Sequence, residues 1–281
     1  MPIRPASAAA QVGYSVSTAA ERLGMPTATL RTWNRRYGIG PSQRHPRQHR
    51  LYTDADLVVL ARMRELIGSG ATAAGAAAAV RGTVIALGDT AALLDAAFAL
   101  AAERVCDLLE RHIRAYGVIE TWDRLCRPAF SDVLTRQLRG ESCVDVEHLL
   151  SWCVLATLHR AAPPTPDFGD TPRILACTSG ETHSLPMEVL RVALAERGTG
   201  ARMLGPDVPT AALADTLGRV PRGAAVMLWS QRESTASTSA VRACTSAGAA
   251  VYVGGPGWNG VTLPGAVARI ADLTEAVDRL T

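Results

Sequence analysis

The sequence predicts a multidomain protein in which two all-α domains precede a doubly wound parallel α/β domain. Three patterns support this fold class. A short helix, a turn and a basic helix follow one another near the N-terminus. Apolar residues then recur at helical spacings between residues 89 and 160, and apolar strands alternate with helices after residue 171. A chain of 281 residues is long enough for two or three separate cores.

The first domain is predicted at 14–83, after a disordered tail at 1–13. Gly38, Gly40 and Pro41 must end its second helix, and a turn-rich hairpin follows. The predicted elements are a helix capped by Ser17 or Thr18 that ends at Leu23-Gly24, a helix capped by Thr27 that runs through Arg36, the hairpin at 42–50, a helix from Ala55 to about Ile67 capped by Thr53-Asp54, and an alanine-rich helix at 71–80.

The second domain, at 84–160, is predicted to be a four-helix bundle. Its apolar residues recur at spacings of three and four, which is the pattern of helices with one buried face. The clearest run is Leu93, Leu94, Ala97, Leu100, Ala101, Val105 and Leu108. A proline-rich linker at 161–170 then separates the bundle from the next domain.

The third domain, at 171–281, alternates strands with helices, which predicts a Rossmann-like doubly wound sheet. The expected strands are 174–177, 201–204, 224–229 and 250–253, and the expected helices are 187–197, 210–217 and 235–247. Ligands of such a sheet lie beyond the carboxyl ends of its strands. The loops that follow the strands are therefore the expected place for a binding site.

Positive charge is concentrated near the N-terminus. Residues 1–83 carry 11 arginines against 4 acidic residues, a net +7, whereas 84–163 (8 against 11) carry −3 and 171–281 (10 against 9) carry +1. Residues 27–52 contain six arginines, two histidines and no acidic residue. Guanidinium groups suit both phosphates and guanine edges, so this segment is predicted to bind double-stranded DNA. Because every basic residue of the chain is arginine, a merely solvated basic face is the alternative.

The sequence lacks the marks of several other classes of protein. No apolar run reaches 18 residues and no apolar segment follows Arg4, so we expect a cytoplasmic protein without a membrane partner. The six cysteines form no C-x-x-C pair and are interpreted as small buried residues, with a thiolate metal sensor as the alternative. No hydrolase elbow, Walker loop or zinc-protease helix occurs, so we expect no enzymatic activity.

Residues 29–37 (TLRTWNRRY) and 44–57 (RHPRQHRLYTDADL) resemble the winged helix-turn-helix of the MerR family. In that family the second helix enters the major groove of DNA and the hairpin wing contacts the backbone. The resemblance implies DNA-binding residues on the helix, Arg31, Trp33, Arg35 and Arg36, and in the wing, Arg44, Arg47, Arg50 and Tyr52. It also implies a homo-oligomer, a dimer or larger, with RNA polymerase as a further candidate partner.

The third domain resembles a cobalamin-binding domain, whose signature is D/E-x-H-x-x-G, then S-x-L, then G-G. The matching residues are Glu181, His183, Ser230, Gly254 and Gly255. In the light-responsive MerR-type repressors of the CarH/LitR kind, a winged helix, a four-helix bundle and a cobalamin domain follow in the same order.

This second resemblance implies a role for each matching residue. His183 would be the lower axial ligand of the cobalt, and Glu181 would orient its other ring nitrogen. Ser230 and the Gly254-Gly255 pair would line the slot of the nucleotide tail, because glycine lets a ligand approach the backbone closely.

The bundle carries a further part of the resemblance. The Glu147-His148 pair would lie over the upper face of adenosylcobalamin. Cleavage of the cobalt–carbon bond by light would then change the bundle, the oligomeric state and the affinity for DNA.

Three positions depart from the family pattern and favour the first of two alternatives to a cobalamin sensor. Pro186 stands where the family has glycine, Arg232 where S-x-L has leucine, and Gln137 where tryptophan precedes the glutamate by ten residues. In one alternative, a MerR-type regulator uses a degenerate cobalamin domain for oligomerisation, another ligand or a protein partner. In the other, the chain is a corrinoid carrier for methyl transfer, a class in which a basic winged helix has no use.

Overall fold

The computed structural model describes residues 13–41, 51–81, 87–162, 171–265 and 267–281. The chain divides into two compact units. The first lies within the first 87 residues together with Arg114–Tyr116, and the second comprises Gly88–Ile113 and Gly117–Thr281. The predicted tail, hairpin and linker fall wholly or mostly outside the described residues.

The first unit contains four helices in its described residues, and two of the predicted caps are wrong. The helices are α1 (Val16–Arg22), α2 (Thr27–Tyr37), α3 (Asp54–Gly68) and α4 (Ala73–Arg81). Ser15, not Ser17 or Thr18, caps α1, and its hydroxyl accepts a hydrogen bond from the Thr18 amide at 3.2 Å. Thr27 is the first residue of α2 and does not cap it, because the extended residue before it is Pro26.

Helix α3 begins where the sequence predicts, at a cap formed by Thr53. The Thr53 hydroxyl accepts a hydrogen bond from the Asp56 amide at 3.2 Å, and the Asp56 carboxylate accepts one from the Thr53 amide at 2.8 Å. In this capping box, two backbone amides that the helix leaves without partners both find acceptors. The two hydrogen bonds fix the start of the helix.

One apolar core holds the first unit together. Leu30 and Trp33 of α2 belong to the same buried cluster as Leu60 and Met63 of α3. Leu23 at the end of α1 is also buried, as the sequence predicts for it and for Leu30. Helix α2 therefore turns one face to the core and leaves the other face for solvent.

The helical part of the second unit consists of four helical rods, which confirms the predicted bundle. The rods are α5 (Thr90–Phe98), α6 (Ala102–Tyr116), a rod in which α7 (Val118–Thr121) continues through the π-helical turn Trp122–Cys126 into α8 (Arg127–Leu138), and α9 (Val144–Ala161).

The last part of the chain forms a parallel sheet with helices on both faces, which confirms the predicted doubly wound domain. The five strands have the order β2-β1-β3-β4-β5. They are β1 (Arg173–Thr178), β2 (Arg202–Val208), β3 (Ala225–Trp229), β4 (Ala250–Gly254) and the short β5 (Ala268–Arg269), and the helices are α10 (Leu185–Glu196), α11 (Thr210–Gly218), α12 (Thr238–Ser246) and α13 (Leu273–Leu280). Residues of α11 and α12 cover one face of the sheet, and residues of α10 and α13 cover the other.

The bundle and the sheet share one continuous core, although the sequence predicts them as separate domains. Val154 and Leu158 of α9 belong to the same buried cluster as Val189 and Leu190 of α10. The Arg191 side chain donates a hydrogen bond to the carbonyl oxygen of Ala162 at 2.8 Å, which adds a polar link. The domain limits at 14–83, 84–160 and 171–281 stay predictions.

Two further findings concern the whole described part of the chain. No helix within it is long and apolar enough to cross a membrane. All six cysteines are free, and five of them are buried, as expected for small residues that fill cores.

The capping box generates a testable prediction. Thr53→Ala should destabilise α3 by about 1 kcal/mol, because one amide at the helix start loses its acceptor. Hydrogen exchange of the α3 amides in the full chain, followed by mass spectrometry, should then accelerate about fivefold. Thr53→Ser keeps the hydroxyl and serves as the control. Unchanged exchange in Thr53→Ala would show that the cap contributes nothing.

Candidate DNA-binding and ligand-binding sites

Helix α2 presents three arginines to solvent. Arg31, Arg35 and Arg36 are exposed, while Leu30 and Trp33 hold the opposite face in the core. Within the described part of the chain none of the three arginines forms an ion pair. Three unneutralised guanidinium groups on one helix are suited to phosphate oxygens and to base edges in a major groove.

Two of the predicted DNA contacts are buried and belong to the core. Trp33 is only 7% exposed and Tyr52 only 3% exposed. Both side chains therefore pack in the core that lies under the exposed face of α2. The backbone of Tyr52 pairs with that of Tyr14 through hydrogen bonds of 2.7 and 2.8 Å. Burial, together with the carboxylate of Asp56, raises the pKa of Tyr52 even though Arg31 lies near enough to oppose the shift. The predicted wing residues Arg44, Arg47 and Arg50 lie outside the described residues.

The loop after β1 carries a fully buried carboxylate, that of Glu181. One oxygen, Oε1, accepts hydrogen bonds from the amide of His183 at 2.9 Å and lies 2.6 Å from its ring Nδ1. The other, Oε2, accepts from the amide of Gln231 at 2.8 Å and from the hydroxyl of Thr235 at 2.7 Å. The carboxylate thus joins the loops after β1 and β3.

These hydrogen bonds decide the charge of Glu181. Burial by itself would raise the pKa of this carboxyl group, but the amide of His183, the Thr235 hydroxyl, the His183 ring and the Gln231 amide all favour the ionised form. Together they lower the pKa of Glu181 to about 2. The group is therefore an anion at neutral pH, although water does not reach it.

The ring of His183 is oriented by this anion. Its Nδ1 faces the Glu181 carboxylate and so carries the proton in the neutral ring. The side chain is 54% exposed, and within the described part of the chain no hydrogen bond occupies Nε2. A neutral imidazole with one nitrogen donating to a carboxylate and the other unprotonated is the usual form of a metal-binding histidine.

Thr235 is a part of this site that the sequence did not indicate. It lies in the short 3₁₀ turn Glu233–Thr235, where no spacing rule marks it as close to Glu181. Its hydroxyl lies 2.6 Å from that of Ser230 and 2.7 Å from Glu181 Oε2, and its carbonyl accepts from the Thr178 hydroxyl at 2.6 Å. Thr235 thus links the predicted residue Ser230 to the predicted Glu181–His183 pair.

The structure places Ser230 and the two predicted glycines against each other. Ser230 is fully buried, and its amide donates to the carbonyl of Gly254 at 3.1 Å. A Cβ atom on Gly255 would lie 2.2 Å from the carbonyl oxygen of Ser230, and one on Gly254 would lie 2.4 Å from the Met227 methyl carbon. Gly255 is required by its positive φ and by this backbone contact, whereas a side chain at Gly254 would have to displace the end of Met227.

Each position that departs from the family pattern has a definite environment. Pro186 lies in the first turn of α10, where a missing amide proton costs nothing. The Arg232 guanidinium donates to the carbonyl oxygen of Gly180 at 3.0 Å. Gln137 of α8 donates to the Glu147 carboxylate at 2.8 Å, and His148 beside it is exposed.

Known proteins resemble both parts of the chain. Residues 14–83 match the family described as MerR HTH family regulatory protein. Two proteins of Myxococcus xanthus are similar over most of the chain. HTH-type transcriptional repressor CarH is 29% identical over 224 residues, 73% of this chain and 74% of its own. HTH-type transcriptional repressor CarA is 31% identical over 209 residues, 70% of each chain.

A solved structure, that of the Methanosarcina barkeri monomethylamine corrinoid protein, has a similar fold. It matches with a TM-score of 0.50 over 66% of this chain and 94% of its own. The sequences are 11% identical, so this comparison concerns the fold alone.

The ionised Glu181 predicts a pH-dependent contribution to stability. Its pKa is lowered from an ordinary 4.5 to about 2, so this contribution is complete above pH 4.5 and is lost as the pH falls toward 2. Glu181→Gln should reduce the free energy of unfolding at pH 7 by about 1–3 kcal/mol, because buried donors lose an anionic acceptor.

Denaturant unfolding of both proteins between pH 7 and pH 3 measures this effect. The difference between wild type and Glu181→Gln should shrink on acidification. Glu233→Gln changes an exposed carboxylate in the neighbouring loop after β3 and should have little effect at any pH. A wild-type advantage that stays constant from pH 7 to pH 3 would contradict the assigned charge.

Proposed function

The chain belongs to the MerR family of helix-turn-helix transcriptional regulators, and we propose that its second unit binds a corrinoid through His183 and thereby controls DNA binding by the first. The relatives CarH and CarA are transcriptional repressors, which supports a regulatory and non-enzymatic role. A homo-oligomer on a two-fold operator is part of the proposal, and RNA polymerase remains a candidate partner.

The proposed DNA-binding residues are Arg31, Arg35 and Arg36 on α2 together with Arg44, Arg47 and Arg50 of the predicted wing. The helix is held by Leu30 and Trp33, so its exposed face can enter a groove without losing support. Arginine contacts to phosphates release counterions from DNA, which makes affinity fall steeply as salt rises.

Neutralising the helix arginines tests this surface. In the variant Arg31→Ala, Arg35→Ala, Arg36→Ala, each lost phosphate contact should reduce the slope of log affinity against log salt by about 0.9. Fluorescence anisotropy with operator DNA and with unrelated duplex measures the slope. A second variant, with Arg44, Arg47 and Arg50 all changed to alanine, tests the wing in the same way.

The control variant for this experiment also removes three positive charges, but from the second unit. Arg219, Arg222 and Arg242 are exposed residues of the second unit, and their triple alanine variant should keep the wild-type slope. If this control variant loses as much affinity for DNA as the variant of Arg31, Arg35 and Arg36, general electrostatic attraction explains binding and the assigned surface is wrong.

The Glu181–His183 pair is the observation that carries the ligand proposal. His183 would fit as a ligand of the cobalt, because the buried carboxylate holds the Nδ1 proton and leaves Nε2 for a metal. A corrinoid, when bound, supplies a cobalt ion that accepts such a ligand and, in alkyl forms, a light-sensitive cobalt–carbon bond. Thr235 and the Gln231 amide keep the carboxylate ionised, so they maintain this orientation at neutral pH.

A second candidate function is self-association through the bundle. Leu134 and Leu138 of α8, and Val144 and Trp152 of α9, are large apolar side chains that lie in solvent in the single chain. Leu138 is 81% exposed and Trp152 is 60% exposed, which is unusual for residues of this size. Under this alternative, the second unit forms oligomers without any corrinoid.

Spectroscopy of the full chain separates the two candidates. Protein incubated with adenosylcobalamin or adenosylcobinamide in the dark and then desalted should retain a corrinoid absorbance spectrum. His183→Ala should lose at least about nine-tenths of this absorbance, since one metal–imidazole bond is removed. His49→Ala removes an imidazole from the predicted wing and should retain the absorbance. Colourless wild-type protein that still forms oligomers and binds operator DNA would favour the second candidate.

A further inference from the structure

We propose that the site around His183 selects corrinoids that lack the nucleotide tail, such as cobinamides, over complete cobalamins. The inference rests on the proposed function, because it concerns the ligand of His183. It follows from a conflict between the chemistry of the tail and three loops that are bonded tightly to one another.

The tail matters because it competes with the protein for the cobalt. In a complete cobalamin, the tail ends in a benzimidazole base that occupies the lower face of the metal. A protein imidazole takes that position only when the base leaves it. The displaced base, ribose and phosphate then need a cleft beside His183, and such clefts are usually present before the ligand arrives. A cobinamide ends before the nucleotide and needs no cleft.

The loop after β3 is bonded across the loop after β1, directly beside His183. The amides of Gln231 and Arg232 donate to Glu181 Oε2 at 2.8 and 3.4 Å. The Arg232 guanidinium donates to the carbonyl oxygen of Gly180 at 3.0 Å. A leucine at position 232 has no side-chain donor, so the bond to Gly180 is specific to the arginine of this chain.

The loop after β4 closes against the loop after β3 from the other side. The amide of Gly257 donates to the carbonyl oxygen of Ser230 at 3.0 Å. A Cβ atom on Gly255 would lie 2.2 Å from that same oxygen, and one on Gly257 would lie 2.4 Å from the carbonyl oxygen of Arg232. At these two positions a methyl group does not fit, because the backbones of the loops after β3 and β4 are in contact there. A benzimidazole that lies between these two loops would have to separate them.

The Ser230 side chain behind these loops is hydrogen-bonded as well, and Trp258 fills the space next to it with an apolar ring. The buried hydroxyl of Ser230 lies 2.8 Å from the Arg232 carbonyl and 2.6 Å from the Thr235 hydroxyl, so both partners are within the protein. Trp258, which follows the Gly254-Gly255 turn, is fully buried in the core shared with α11 and α12. Entry of a nucleotide would break hydrogen bonds between loops and displace parts of this core, and both costs reduce affinity.

Two ligands that differ only in the tail provide the test. The full chain is titrated in the dark with adenosylcobalamin and with adenosylcobinamide, and binding is followed by equilibrium dialysis and absorbance. We expect the cobinamide to bind at least about tenfold more tightly, which corresponds to about 1.4 kcal/mol. His183→Ala should weaken the binding of both ligands.

Arg232→Leu tests the assigned cause. The substitution removes the hydrogen bond to Gly180. It should reduce the difference in affinity between the two ligands, because only the binding of adenosylcobalamin becomes stronger. Arg242→Leu makes the same chemical change at an exposed position on α12 and should leave the difference unchanged. Circular dichroism checks that each variant is folded.

The outcomes distinguish this inference from the proposed function. If wild type binds neither ligand, both fail. If adenosylcobalamin binds as tightly as the cobinamide, or more tightly, the inference is overturned and the proposed function stands. A selective loss of cobalamin affinity in Arg232→Leu would also overturn it, since Arg232 would then bind the tail phosphate.

Discussion

Helix α10 is the element on which the second unit depends, because it is buried along its length between other layers. Its residues 187–194 are all buried, and it packs against α7 and α9 of the bundle, against β1 and β2 of the sheet, and against α13. It also begins two residues after His183. The loop of the proposed ligand site and the bundle are thus attached to the same rigid helix.

Polar interactions at the contact between α10 and α9 limit how these two helices are arranged. Glu188 and Arg191 are both buried, and a buried charge is stable only when it is paired. The Arg191 Nε donates to Glu188 Oε2 at 2.9 Å, and the Nε2 of His159 on α9 lies 3.3 Å from the same oxygen. Apolar contacts alone would permit several helix positions, whereas these bonds permit few. The loop that carries His183 and helix α9 of the bundle are therefore both connected to α10.

The proposed ligand site shows which contacts between residues can be predicted from a sequence pattern. The short-range pair Glu181 and His183 could be predicted, because two residues in one loop after a strand are close in any fold that forms that strand. Thr235 could not, since it lies 54 residues from Glu181 and only the parallel pairing of β1 with β3 brings it there. The same pairing joins Arg232 to Gly180, which no local rule describes.

The sequence alone determined the order and class of the elements, because apolar periodicity reports which face of each helix or strand is buried. The sequence alone also identified the arginines of α2 as a basic segment, because the charge of a side chain follows from its residue type. Only the tertiary structure decided that Trp33 and Tyr52 lie in the core, that the bundle and the sheet form one core, and that the loops around Ser230 are closed. Those outcomes depend on contacts between residues far apart in the chain, and the pattern within a segment carries no information about its distant neighbours.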